Sequence, residues 1–272
     1  MFLRRCERIG QTPRKAGKTA CPTWQPNHLA VGGAGGFACQ PIHSHLLRVM
    51  LAFLLAGGLS RPLAAADTLE AVLARMDKEA AGFRDLTAQL KKTSYTAVLN
   101  DSSQESGEMW IKRSGPRGLT MKVEFSGPNE RALGFENSQG QIYYPKIQTV
   151  QIFDLGKSRR LVDQFLLLGF GTSGKEAAKN YQLAVGGQEV AAGQKCTRLE
   201  LVPKSSEVLQ HLQKVELWIP ENAGHPVQQK FFQRGGDYTV IIYTDLKLNP
   251  ALPETSFRLN LPKGVKREYP QK

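Results

Sequence analysis

The sequence predicts a mainly β domain with few helices and a largely antiparallel sheet. Three observations carry the prediction. Beyond the first third of the chain, apolar residues recur at every second position in roughly ten short segments. A single long stretch of helical spacing precedes them. Gly-, Pro- and Asn-bearing turns separate the segments by only a few residues, too few for the crossover helices that parallel strands need.

The helical stretch begins at Asp67. Leu69, Val72, Leu73, Met76, Ala80 and Phe83 follow i, i+3, i+4, i+7 spacing, the mark of an amphipathic helix. Asp67 with Glu70 reads as its capping pair, and Gly82 as its end. Period-two segments follow. A Gln/Lys/Thr-rich strand runs from Thr87 to Val98. Met109 and Ile111 alternate with Glu108, Trp110 and Lys112. Leu119, Met121, Val123 and Phe125 alternate with Thr120, Lys122 and Glu124. Leu133/Phe135, Ile142/Tyr144, Tyr181/Leu183/Val185, Leu199/Leu201, Val215/Leu217/Ile219, Tyr238/Val240/Ile242 and a closing Phe257/Leu259/Leu261 continue the series. Gly115-Pro116, Gly127-Pro128, Asn137 to Gly140, Gly186-Gly187, Asn222 to Gly224 and Gly235-Gly236 read as the turns between them. One segment breaks the rhythm: Leu161 to Leu168 is apolar without alternation and reads as a short helix, with a Gly-rich loop from Gly169 to Gly174 after it. Residues 67–272 read as one domain.

Charge is unevenly spread. The chain of 272 residues carries a net +12. Residues 1–66 hold 8 Lys/Arg against one acid, Glu7, and residues 67–272 hold 28 against 23. The domain's share is an ordinary solubility charge and not a nucleic-acid footprint. Beyond residue 66 the only cysteine is Cys196 and the only histidines are His211 and His225. One cysteine makes no internal disulfide and no zinc site. No metal and no cofactor is expected.

The first 66 residues read as an address. Val49 to Leu59 is a run of eleven apolar or small residues, well short of the ~20 that span a bilayer but suited to the core of a secretory signal. Arg48 precedes it, and Ala64-Ala65-Ala66 supplies the small-residue cleavage pattern. Residues 1–45 are too long for a signal's basic leader and lack periodicity, so they read as an over-called extension of the reading frame or as a disordered one. The residue after the cut is Asp67, not a lipidatable Cys. The expected location is the periplasm, soluble after cleavage.

Sites of chemistry are scarce. Gly169-Phe170-Gly171-Thr172-Ser173-Gly174-Lys175 satisfies G-x-G-x-x-G and nearly a P-loop, but Glu176 stands where a magnesium-binding hydroxyl belongs, and the preceding segment is no β-strand. A flexible loop is the better reading. No G-x-S-x-G elbow occurs. His225 sits beside Pro226 in a turn, His211 lies in a Gln-flanked stretch, and Cys196 reads as strand packing. An enzyme is not expected.

Two motifs carry a resemblance. Gly107-Glu108-Met109-Trp110-Ile111-Lys112-Arg113 resembles the G-x-(L/M)-W-(V/I)-K-R strand of the LolA-type outer-membrane lipoprotein carriers. The tail from Phe257 to Val265 resembles that family's closing F-x-x-x-x-P-x-G-V. Signal, helix and strand order agree over about residues 67–268. The family's Pro and aromatic pair after Lys-Arg are replaced here by Ser114 to Leu119, which marks a divergent member. The resemblance implies a curved, half-open β-barrel closed by short helices around an apolar cavity. It implies a monomeric carrier of acylated lipoproteins with no catalysis. Such a carrier is loaded by an inner-membrane lipoprotein-releasing ABC transporter and unloaded at the outer-membrane receptor LolB or a substitute. The cavity lining would be Met109, Ile111, Leu119, Met121, Val123, Phe125, Leu133, Phe135, Phe165 and Leu166. Strand parity puts Arg113 on the same face as Met109 and Ile111. The resemblance makes it a latch on a lid, here Leu161 to Leu168. The alternative is an arginine that reaches solvent at a strand end. A periplasmic sensor of the same fold, binding an anti-sigma factor or another envelope partner, is the alternative function.

Processing is expected to expose Asp67. N-terminal sequencing of the exported protein should begin within a residue or two of it, and a start upstream of Val49 would contradict the signal assignment.

Overall fold

The computed structural model describes residues 67–114, 118–136, 138–156 and 168–271. The signal segment and most of the Leu161–Leu168 stretch, including Phe165 and Leu166, lie outside the described residues. Helix α1 (Leu69–Gly82) occupies the expected span and buries Val72, Met76 and Ala80, one stripe at i, i+4, i+8. Its cap differs from the expectation. Thr68 is the N-cap, its hydroxyl accepting from the Ala71 amide, because a threonine one residue on offers the same acceptor. Asp67 is engaged elsewhere. Its carboxylate accepts from both terminal nitrogens of Arg75, at 2.9 and 2.5 Å, and from the buried Thr197 hydroxyl at 2.8 Å. The Arg75 guanidinium holds the Asp67 carboxyl below the usual carboxylate range.

Among the described residues, twelve strands form one sheet. β1 (Asp85–Thr96), β2 (Asp101–Ser114), β3 (Gly118–Ser126), β4 (Arg131–Glu136), β5 (Gln139–Tyr144) and β6 (Thr149–Asp154) make a first meander, each strand pairing with the next. Helix α2 (Gly174–Asn180) leads into a second meander. It comprises β7 (Tyr181–Ala191), β8 (Gln194–Pro203), β9 (Lys214–Pro220), β10 (Gln228–Phe232) and β11 (Tyr238–Leu248), with helix α3 (Ser206–Leu209) between β8 and β9. The antiparallel β1–β11 pair fuses the two meanders. Every pairing is antiparallel except that of β12 (Lys266–Glu268), which runs parallel to β6. The sheet stays open between β7 and β12, a curved half-barrel with few helices.

The inner face carries two apolar clusters. Over the second meander, Val72 and Met76 of α1 and Ala177 of α2 pack on Leu199, Leu201, Val215 and Leu217. Over the first meander, Phe83, at the C-terminal end of α1, joins Leu86, Met109, Ile111, Leu119, Val123, Phe125 and Phe135. The helix that precedes the first meander thus lies mainly on the second.

Two readings of the chain are corrected. Gly186-Gly187 is no turn. It is a bulge within β7, where the register against β8 shifts between Val185 and Gly187. Gly187 holds φ +121°, and Gly186 leaves the room that the Arg198 side chain takes up. The extra residue bends this edge strand, a device that discourages pairing with other chains. Phe257, Leu259 and Leu261 form no sheet strand either. Glu254–Phe257 is a 3₁₀ turn, and the chain enters the sheet only at Lys266. Pro250, Pro253 and Pro262 remove the amide donors that a ladder needs. The tail instead covers the outer face. Leu259, Leu261 and Val265 pack on Tyr143, Val150 and Ile152, and Lys112 pairs with Glu254 above the Phe257 ring.

At one end of the first meander, Glu105 bridges Lys92 (3.1 Å) and Arg131 (2.5 and 3.0 Å). Both cations lie by the Phe125 ring, at 5.7 and 4.4 Å. The hydrogen bonds from Arg131, then those from Lys92, lower the Glu105 carboxyl from 4.5 to about 2. A group depressed in the folded state stabilises it fully above its unfolded pKa, and that stability drains away as pH falls towards the folded value. Thermal unfolding of the wild type is therefore expected to lose stability between pH 4.5 and about 2. Glu105→Gln should be less stable at neutral pH and show a flatter profile across that window; an unchanged slope would contradict the assignment.

Candidate functional site

The floor of the site is built by strand register. Met109 lies opposite Val123, Ile111 opposite Met121, and Arg113 opposite Leu119. Across the next ladder, Met121 faces Phe135 and Val123 faces Leu133. Period-two alternation sends these side chains to one face. Six of the eight described apolar candidates are buried, and Met121 and Leu133 pack against them. They form a packed apolar cluster together with Phe83, Phe170 and Tyr243. Phe165 and Leu166 lie outside the described residues.

Arg113 stands at the end of this floor. Its guanidinium lies 5.7 Å from the Phe83 ring and donates to the Gly171 carbonyl at 2.5 Å. The acceptor lies three residues past Leu168, in the loop that the sequence reads as Gly-rich and flexible. That loop is tightly held. Leu168 and Phe170 are buried, at 1% and 2% exposure. Gln229 donates its amide to the Leu168 carbonyl at 2.6 Å, and the Tyr243 hydroxyl donates to the Gln229 side-chain oxygen at 2.8 Å. Phe170 sets its ring edge-on to Tyr243, with centroids 4.9 Å apart. Burial pushes the Tyr243 phenol far up, so the hydroxyl keeps its proton and acts as a donor. Residues 168–171 thus form a strap held at Gly171 by the first meander and at Leu168 and Phe170 by the second.

The glycines of the near-P-loop serve this strap. Gly169 and Gly171 have φ of +87° and +80°. A Cβ on Gly171 would lie 2.6 Å from the Phe83 ring and 3.0 Å from Arg113. Ser173 then caps α2, accepting from the Glu176 amide, and a Cβ on Gly174 would collide with Leu73 of α1. Gly174 and Lys175 open a two-turn helix packed on α1, and Lys175 donates its amide to Asp77.

Other polar groups are engaged in holding the fold. Glu79 accepts from the Gly224 amide at 2.9 Å and bonds the His225 ring at 2.7 Å, tying α1 to the β9–β10 turn. His211 is exposed. Cys196 is buried, and burial raises its thiol pKa. Among the described residues no cluster of three His, Cys, Asp or Glu could hold a metal, and no helix is long and apolar enough to cross a membrane. A cavity of about 370 Å³ lies on the opposite side of β4, between Gly134, Glu136, Gln139 and Gln141 and the tail residues Phe257 to Leu259; of the predicted lining residues it touches only Phe135.

Sequence reasoning missed Gln229, Tyr243, Phe83 and Phe170 as parts of the site. Tyr243 had a faint signal, since Ile241 and Tyr243 alternate as regularly as Val240 and Ile242.

The chain matches no family model, and no curated protein matches it by sequence. Solved structures similar to it include a LolA superfamily protein from Nitrosomonas europaea, 16% identical, covering 71% of this chain and 98% of that one at a TM-score of 0.35. The lipoprotein LppX of Mycobacterium tuberculosis is 16% identical over 71% of this chain and 99% of its own, TM-score 0.41. The MucA/MucB complex of Pseudomonas aeruginosa is 15% identical over 69% of this chain and 60% of the matched one, TM-score 0.41. At these scores the likeness bears on neither cargo nor partner.

Gly171→Ala is expected to destabilise the protein more than Gly193→Ala. Both glycines have positive φ, but nothing lies within 4 Å of a Cβ at Gly193. The backbone penalty alone is about 1–3 kcal/mol, and the contact with Phe83 adds to it at Gly171. Denaturant unfolding of the two variants measures the difference; equal losses would mean that the strap yields freely.

Proposed function

We propose that this chain is a non-catalytic periplasmic carrier that takes the acyl chains of lipoproteins onto its apolar inner face. On this reading it conveys them from the inner to the outer membrane. The observation that carries the reading is the Arg113–Gly171 hydrogen bond: a charged donor at the end of an apolar floor, satisfied by the backbone of a strap across it. The G-x-M-W-I-K-R strand, in which Arg113 is the last residue, supports it from sequence. The cargo is an acylated lipoprotein. The inner-membrane partner is a lipoprotein-releasing transporter, and the outer-membrane partner is LolB or a substitute.

The energetics of hand-over require such a strap. Burying one CH₂ is worth about 0.8 kcal/mol, so a sixteen-carbon chain gains on the order of 12 kcal/mol gross. Three such chains would bind a rigid site too tightly to be released. A strap that closes on the empty floor opposes binding, because its own hydrogen bonds and the apolar contacts of Leu168 and Phe170 must be given up. A charged hydrogen bond contributes roughly 1.5–3 kcal/mol, so the Arg113 contact alone biases closure about ten- to a hundredfold.

Two expectations follow for the mature domain. A fluorescent fatty acid should bind, and Val123→Glu should weaken it; a folded wild type that binds no probe would make the floor an ordinary core. Arg113→Leu should hold an acylated peptide at least as well as wild type yet fail to deliver it to receptor-bearing outer membranes. Equal transfer by the two forms would leave Arg113 a structural contact only.

A further inference from the structure

We infer that Gln229, oriented by Tyr243, and Arg113 together form a carbonyl-recognition site on the apolar floor, which selects ester- or amide-linked acyl chains over plain hydrocarbon. The inference rests on the carrier reading and names the ligand chemistry of that site. Its starting point is an accounting of donors. Among the described residues of the apolar inner face, Arg113 and Gln229 each send a donor to the strap. Arg113 donates to the Gly171 carbonyl and Gln229 to the Leu168 carbonyl. Gln229 is 3% exposed and Tyr243 5% exposed, so water is not a ready substitute.

The direction of the Gln229 amide is set from behind. The Tyr243 phenol, protonated at neutral pH as any phenol is, donates to the Gln229 oxygen at 2.8 Å. That leaves the Gln229 NH₂ aimed at the strap. The arrangement aims donors at the strap. When the strap lifts, both donors lose their carbonyls; Arg113 is half-buried, but Gln229 is fully buried, and a buried donor without a partner is costly. A bare hydrocarbon offers nothing in return. A ligand that joins apolar chains to carbonyl oxygens replaces both lost acceptors in kind. Two peptide carbonyls three residues apart are therefore the strap's stand-in for the carbonyl groups of an acylated ligand.

The test compares palmitoylglycerol with its hexadecyl ether, which keeps chain and headgroup and lacks the carbonyl. Each displaces a fluorescent fatty acid from the full domain. The affinity ratio is read, because the work of lifting the strap is common to both and cancels. The wild type should prefer the ester by roughly five- to tenfold, the worth of one net hydrogen bond. Gln229→Met, similar in shape, should lower the ratio towards one while still binding the ether, with Arg113 left as the remaining donor. Tyr243→Phe keeps the ring against Phe170 but frees the amide to turn, and it should lower the ratio in part. Should Gln229→Met fail to fold, Tyr243→Phe decides by the same ratio. Equal binding of ester and ether by wild type, or an unchanged ratio in the variants, overturns the carbonyl site and leaves the carrier reading standing. Binding of neither lipid overturns both.

Discussion

The pairing of β1 with β11 is the constraint on which the rest depends. β1 to β6 and β7 to β11 are two meanders built from local hairpins, each with an apolar inner face. Hairpins form from neighbours, but the β1–β11 ladder joins residues such as Leu90 and Tyr243, far apart in the chain. It makes one curved floor from two small sheets. Both ends of the ladder are fastened. Tyr95 stacks on Tyr238 with centroids 4.8 Å apart. At the other end the Asn249 side chain accepts from the Arg84 amide and donates to the Gly82 carbonyl, binding the end of α1 to the end of β11.

Because the meanders are fused in this way, α1 reaches across onto the second one and leaves much of the first meander's floor to Phe83, Phe170 and their neighbours. Two of the polar side chains on that floor, Arg113 and Gln229, are bonded to the strap. A glutamine buried among leucines and phenylalanines, or an arginine half-buried there, is a liability unless it is bonded. Here each is satisfied by a backbone carbonyl whose position depends on Gly169 and Gly171 adopting left-handed conformations. The near-P-loop glycines are explained by this geometry and by the close packing of Gly174 on α1, with no phosphate required.

The two faces of the first meander are finished differently. The outer face is covered by the C-terminal tail, whose prolines keep it out of the sheet until Lys266. Lys122, on that face, lies 4.0 Å from the Trp110 ring. The tail motif and the β2 motif, far apart in sequence, thus meet back to back: Trp110 and Lys112 look outward towards the tail's side of the sheet, while Met109, Ile111 and Arg113 look inward.

Much of the fold was legible from periodicity. The alternation in β2 and β3 identified the inward side chains, because most polar and apolar residues there exchange faces and a strand has a period of two. β11 was opaque for the same reason in reverse. Val240, Ile241, Ile242 and Tyr243 are apolar on both faces, and only the ladder to β1 tells which side meets the floor. Gly186-Gly187 misled because a bulge and a turn draw on the same residue type. Residue order alone specified the helix, most of the strands, the inward face of β2 and β3, and an arginine at the end of that face. What that arginine bonds, the placing of Gln229 and Tyr243 across from it, and the sharing of one floor by two meanders emerge only on folding. Side-chain alternation is a local property of a strand, whereas the partner of a buried donor is whichever acceptor the folded chain brings within hydrogen-bond reach.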